Sequence, residues 1–432
     1  LLPLISPPFT SSIALTLSLG PNGILLDFFG LGNFNFYGFW GTFISETLTF
    51  FPVAFMTLST ILARIDPNLE DAAYSLGASS FKVFRTVTLP LAAPGIANAF
   101  LLVFSCSLAD FATPQVLGGH SFPVLPTQAY LVITGMYDFK GGAALSFMLL
   151  IPAIIVYSLQ RWWVGKKSYV TVSGKAGGRS SVKGPGPLLS SVIVATVAVV
   201  IAFILYLYAI ILTGSLVKVW GVNNEITLEN YSYVFTHGSK AIKDTLLIAC
   251  IGTPLGGLLA VLVGYATARL KVRGSRILET VSLLNYTLPG TVVGIAYIIA
   301  FNDKPIMLTG TIYILVAAYL FRYSSAGIRN VIAALSQIDP SIEEASRSLG
   351  ASSVKTFTSI IHSMTAISAT IFLVSVHWTL ITTRILECMT ELQFAQACAF
   401  SIVLIVLVFI ASGVINLLAR ALCRSGDAIG VH

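Results

Sequence analysis

Apolar residues gather into ten runs of membrane-spanning length, and most polar residues fall in the stretches between them. The runs cover 4–20, 39–62, 91–110, 143–163, 188–213, 242–268, 278–300, 307–333, 363–381 and 396–419. About 20 apolar residues cross a hydrocarbon layer as an α-helix, whereas a transmembrane strand needs only about ten. A chain in lipid must also satisfy its backbone hydrogen bonds internally. The pattern therefore predicts an all-α polytopic membrane protein. Arg322 and Arg329 interrupt the eighth run, so that helix is expected to leave the hydrocarbon early.

The polar stretches carry a repeat. Asp66–Val87 reads DPNLEDAAYSLGASSFKVFRTV, and 273 residues later Asp339–Ile360 reads DPSIEEASRSLGASSVKTFTSI. Widened two residues upstream, 13 of 24 aligned positions are identical. Both copies lie between apolar runs. A polar loop kept twice points to one task done twice, such as docking to a partner that is itself a pair.

Basic residues orient the chain, because Lys and Arg accumulate in cytosolic loops. The side holding both repeats carries 17 of the 25 basic residues, against six on the other. This makes the repeats and the C-terminal tail cytosolic. The same bias accounts for the net charge of +7 without nucleic acid. Only 10% of residues are charged, where a soluble domain has about a quarter.

Residues 166–187 are rich in Gly, Ser and Lys and read as a flexible basic linker. They divide the chain into a first half (1–165) and a second half (188–432), two tandem pseudo-repeats. The second loop follows four apolar runs in its half, but the first follows only two. The first half is therefore expected to begin at its third helix, about 100 residues late. Another 16 or so are expected to be absent after Ile360, so ten helices of an expected twelve are present. Gly174-Lys175 lacks the earlier glycine of a phosphate loop, and Ala176 stands where a Ser or Thr must reach Mg²⁺. With no nucleotide site visible, ATP hydrolysis would belong to another subunit.

The loop's residues predict a helix-turn-helix at the membrane surface. Asp66 suits an N-cap and Pro67 the first helical position. Glu70 and Asp71 complement the positive helix end. Ala72 and Ala73 give a small face that another protein can approach closely. Gly77 permits a sharp turn, and Ser79 and Ser80 can cap a second short helix bearing Lys82 and Arg85.

Asp71-Ala72-Ala73, Gly77, Val87 and Leu89-Pro90 resemble the EAA loop of binding-protein-dependent ABC importer permeases. Glu343, Glu344, Ala345, Ser346 and Gly350 form the matching second copy. The resemblance implies a MetI-like membrane domain of the fused, two-loop type, in a bacterial inner membrane. It implies two copies of a cytosolic ATPase docked on the loops and a periplasmic substrate-binding protein outside. ATP and Mg²⁺ would sit on the ATPase, and this chain would bind no cofactor. Ser363–Ser375 and the stretch 335–345 most resemble ferric-iron permeases; thiamine and phosphonate permeases share the layout. Asp71 replaces the usual Glu, and His362-Ser363 stand where Leu-Pro is expected.

The remaining polar signals are sparse. Asn98 and Asp110 in the third run are candidates for the translocation route, though helix-end polarity explains them nearly as well. Arg322 either lines that route or snorkels toward the cytosol. The GxxxG pairs Gly252–Gly256 and Gly290–Gly294 serve helix packing within the chain or dimerisation. The outward loop 111–142 holds His120, Tyr130, Tyr137 and Asp138, read as a docking surface and not a metal site. The cysteines are scattered and imply no disulfide framework. An ion-coupled transporter would need paired intramembrane carboxylates, and few acidic residues lie within the runs. A membrane enzyme would need a catalytic cluster, and no His-Glu-x-x-His or Gly-x-Ser-x-Gly occurs.

Overall fold

The computed structural model describes residues 9–30 except 22, 35–63, 65–119, 122–164, 186–268, 288–336 and 379–429, with isolated residues before 9 and between 269 and 287. The second repeated loop, nearly all of the linker and the segment 363–378 lie outside the described residues.

Among the described residues, helices dominate. The first half contributes α1 (Thr10–Leu19), α2 (Ile24–Phe29), α3 (Phe39–Leu62), α4 (Pro67–Ser75) and α5 (Ser80–Val83). A π-turn (Phe84–Thr88) then leads into α6 (Leu89–Ala109), followed by α7 (Leu125–Met136) and α8 (Phe139–Val164). The second half contributes α9 (Pro187–Leu216), a β1–β2 hairpin (Val217–Val219 with Asn223–Ile226), α10 (Glu229–Thr236) and α11 (Ser239–Ala268). It continues through α12 (Gly290–Phe301), α13 (Ile312–Ser336), α14 (Ile381–Thr390) and α15 (Phe394–Ile429).

Six described helical stretches are long and apolar enough to cross a membrane: 39–62, 80–109, 139–156, 187–216, 239–268 and 394–414. The third-run helix extends back through the π-turn to Ser80, and the continuous stretch accommodates Pro90 and Pro94. The first predicted run holds only the ten-residue α1 among the described residues, and the seventh only the twelve-residue α12. Outward loop 111–142 is not irregular: α7 starts with Pro126 in its first turn and buries Ala129 and Ile133. At twelve residues it is too short to span and too apolar to be a solvated loop. Between α9 and α11 the chain likewise orders into a hairpin and a helix.

The two halves share their core. Phe9, Ile13, Leu17, Phe111 and Leu117 of the first half pack with Leu207, Ile211, Ile385, Phe400 and Leu404 of the second. A second cluster joins Ala129 and Ile133 to Ile248, Ile295, Leu315 and Tyr319. Close packing of α11 on α13 uses small residues: a Cβ on Gly264 would come within 2.7 Å of Val331, and one on Gly327 within 2.7 Å of Ala260. Gly252 and Gly256 are buried on the same helix, which places the first GxxxG pair inside the chain's own packing. Helix α9 has no buried residue in its most apolar window, while its end from Leu207 to Ser215 packs into the shared core.

A second repeated element emerges beyond the far end of α6 from the first loop. Helices α7 and α14 begin alike: Thr127 Oγ1 accepts from Val124 N–H at 3.3 Å, and Thr383 Oγ1 from Leu380 N–H at 3.0 Å. Each is followed by a residue with positive φ (Tyr137 at 53°, Leu392 at 60°) and then a long apolar helix. Val124 and Leu380 are 256 positions apart, whereas the loops are 273 apart. The second half is thus 17 residues shorter than the first between its loop and its outer helix.

Candidate functional site

The first loop forms the expected helix-turn-helix. Asp66 caps α4 by accepting from Asn68 N–H at 3.0 Å, with Pro67 at the first position. The helix closes with two backbone bonds around Gly77. Ala78 N–H reaches Ala73 O at 3.1 Å and Gly77 N–H reaches Tyr74 O at 2.9 Å. This is the Schellman arrangement, and it requires the φ of +82° that Gly77 adopts. Ser79 occupies the N-cap position of α5, but its side chain makes no capping bond, which corrects the expectation from sequence. The backbone alone starts that short helix, through Val83 N–H to Ser79 O at 2.9 Å.

No residue of α4 is buried. Ala72 and Gly77 are exposed, and Glu70, Asp71 and Ala73 are half-buried. Leu76, at 89% exposure, and Phe81, at 73%, project beside them. A nine-residue helix with no buried face has little intrinsic stability. Its tie to the membrane helix is a hydrogen bond from Thr88 Oγ1 to Glu70 Oε1 at 2.5 Å. Thr88 ends the π-turn that feeds α6, and such turns recur at functional positions. Just beyond it, Gly95 of α6 faces Ile61 of α3 so closely that a Cβ would meet the isoleucine at 2.6 Å. Glu70 therefore links the loop to a tightly packed helix pair. Glu343, Glu344, Ala345, Ser346 and Gly350 lie outside the described residues.

The two predicted pathway residues separate. Asn98 is half-buried near the middle of α6, 12 positions and roughly 18 Å along the helix from Asp110. Asp110 ends α6, and its Oδ1 accepts from Ala112 N–H at 3.0 Å, so part of its role is local capping. Its other face lines a cavity of about 330 Å³ together with Glu46, Ser107 and Thr42. Ser107 Oγ hydrogen-bonds Glu46 Oε2 across the α3–α6 interface. Sequence reasoning passed over Glu46; the available signal was a lone carboxylate inside an apolar run.

Other candidates resolve into structural roles. Arg322 donates from Nη1 to Leu288 O at 3.0 Å, just before α12, rather than simply reaching for the interface. Tyr130 packs edge-on against Phe111 with ring centroids 4.9 Å apart, and Asp138 accepts from Gly141 N–H at 2.9 Å. Tyr137 is exposed, and His120 lies outside the described residues. Asp244 is buried and takes Thr379 N–H at 3.0 Å, while Thr245 takes Ile381 N–H at 3.0 Å, so the start of α11 caps α14. Among the described residues, no three of His, Cys, Asp and Glu gather as metal ligands.

Residues 1–168 match the family described as binding-protein-dependent transport system inner membrane component. The chain is 37% identical over 434 residues to the ferric transport system permease protein FbpB of Actinobacillus pleuropneumoniae. That alignment covers 94% of this chain and 63% of the relative, so the chain spans less than two thirds of that protein's length. It is 39% identical over 171 residues to the molybdenum transport system permease protein ModB of Haemophilus influenzae, covering 37% of this chain and 72% of the relative. The ModB protein of Escherichia coli (strain K12) is 30% identical over 169 residues, with the same coverage. With the loop geometry of Asp66–Pro90 and its polytopic helices, the chain belongs to the inner-membrane permease components of binding-protein-dependent transport systems.

Proposed function

We propose that this chain is the membrane-spanning permease of an ATP-driven importer whose cargo is ferric iron. A periplasmic binding protein delivers the substrate on the side of α7, α10 and α14. Two copies of a cytosolic ATPase, carrying ATP and Mg²⁺, dock beneath Asp66–Pro90 and Asp339–Ile360, and the C-terminus lies on their side. Nucleotide binding closes the ATPase pair and opens the helices outward; hydrolysis resets them, in alternating access about a cavity near the midplane.

The observation that carries the reading is the helix α4, which has no buried residue and is attached through the Glu70–Thr88 bond. A helix so exposed, beside Leu76 and Phe81, is suited to a partner's cleft. Force on it passes through the π-turn into α6. Iron is favoured over molybdate because likeness to the ferric permease runs along 94% of the chain, whereas likeness to the molybdenum permeases stops at 37%. The test is ATPase activity of the reconstituted complex with candidate binding proteins. Stimulation by an iron-loaded binding protein supports the assignment; stimulation by a molybdate-loaded one alone removes it.

A further inference from the structure

The cavity between α3 and α6 carries more chemistry than a packing defect needs. Its walls are largely apolar, with Phe39, Phe43 and Leu149 among them. Into this setting Glu46, Asp110, Ser107 and Thr42 bring two carboxylates and two hydroxyls. Thr42 is only 4% exposed, and its Oγ1 has no hydrogen-bond partner. Asp110 Oδ2 is also buried without one. A buried hydroxyl and a buried carboxylate oxygen each cost stability when left unsatisfied. Two carboxylates sharing one low-dielectric cavity repel each other as well. A positive ligand bearing oxygen-seeking coordination sites relieves all three costs together.

We infer that the Glu46–Asp110 cavity is a transit site for a hard metal cation crossing the membrane. The inference rests on the ferric reading for the identity of the cargo, but the oxygen donors define the class by themselves. Hard cations take carboxylate, hydroxyl and water oxygens. Among the described residues no three of His, Cys, Asp and Glu gather here as ligands, so the two carboxylates form an open site, completed by water. That suits passage, where binding must be strong enough to enter and weak enough to leave. Ser107 is a positioning residue: its hydroxyl bonds Glu46 Oε2 and turns that carboxylate toward the Asp110 helix. The cavity lies where α3 begins and α6 ends, opposite the Asp66–Pro90 loop. It is therefore placed to receive an ion before the loop-driven movement of those helices.

The experiment measures Tb³⁺ luminescence on the full chain assembled with its ATPase in lipid nanodiscs. Glu46→Gln and Asp110→Asn should each weaken Tb³⁺ binding at least tenfold, and the double variant should remove it. Thr42→Val, which leaves both carboxylates, should weaken it a few-fold. Ga³⁺ should compete and putrescine should not. In proteoliposomes, iron delivered per ATP hydrolysed should fall about tenfold in Glu46→Gln. Tb³⁺ affinity unchanged in both carboxylate variants, or displacement by putrescine alone, overturns the inference. If the wild-type complex carries no iron but its Tb³⁺ site still depends on Glu46 and Asp110, the ferric assignment fails and the cation site stands.

Discussion

Gly77 offers a clean separation between backbone conformation and surface contact. Its φ is +82°, yet a Cβ placed there would meet nothing within 4 Å. A substitution is therefore penalised by conformation alone until a partner arrives. For an L-residue the left-handed region costs about 1–2 kcal/mol, and a β-branched residue suffers most. A nine-residue helix without buried side chains has few other interactions to offset this loss. A cost of one to two kcal/mol shifts an equilibrium by a factor of about 5–30. Gly77→Val should thus reduce ATPase retention on affinity-purified permease, and binding-protein-stimulated hydrolysis, by roughly that factor. Gly77→Asn, whose side chain tolerates the left-handed region, should recover much of the loss. Retention and stimulation like wild type in Gly77→Val would refute the reasoning. If Asn is as harmful as Val while the loop remains folded, a steric contact rather than the turn is what glycine supplies.

Further tests follow from the elements beside it. Thr88→Val removes the hydroxyl that Glu70 accepts from, so ATPase should remain bound while hydrolysis stimulated by the binding protein falls a few-fold; full stimulation would contradict the linkage. Gly95→Ala forces a Cβ against Ile61 at 2.6 Å, and overpacking of this kind costs about 1–3 kcal/mol. The thermal midpoint should drop, and Ile61→Ala should restore it; no drop would contradict the packing. Burial, reinforced by Glu387 and Glu391, pushes the Cys388 thiol up to about 12. It stays protonated at pH 8, so maleimide should label it only after denaturation. Rapid labelling in the folded protein would show the site to be open.

The features legible in the sequence were those governed by local rules. Span α3 runs from Phe39 to Leu62, the bounds its apolar run predicts. The Asp66 cap and the Gly77 turn also formed as their residue types dictate. What stayed hidden depends on long-range packing. The outer helices α7 and α14 are too short to stand out as spans, and they are stabilised by burial against α8, α11 and α15. Ser79 has the right identity for a cap, yet its hydroxyl does not reach the amides. The carboxylate of Glu46 acquires meaning only when α6 brings Ser107 and Asp110 to the same cavity, which no spacing within α3 could reveal. The 256-residue interval between outer helices likewise needed their shared geometry before it could be set against the 273 of the loops.

The central claim is that this permease moves ferric iron by coupling to ATP hydrolysis. Its most direct test is uptake of radiolabelled iron into proteoliposomes holding the full-length chain and its ATPase, with ATP on the loop side and iron-loaded binding protein on the other. ATP-dependent accumulation that is lost in Gly77→Val, with no uptake of molybdate or putrescine from their own binding proteins, is the predicted result. Iron accumulation independent of ATP, or ATP-driven uptake of another solute with none of iron, would contradict it.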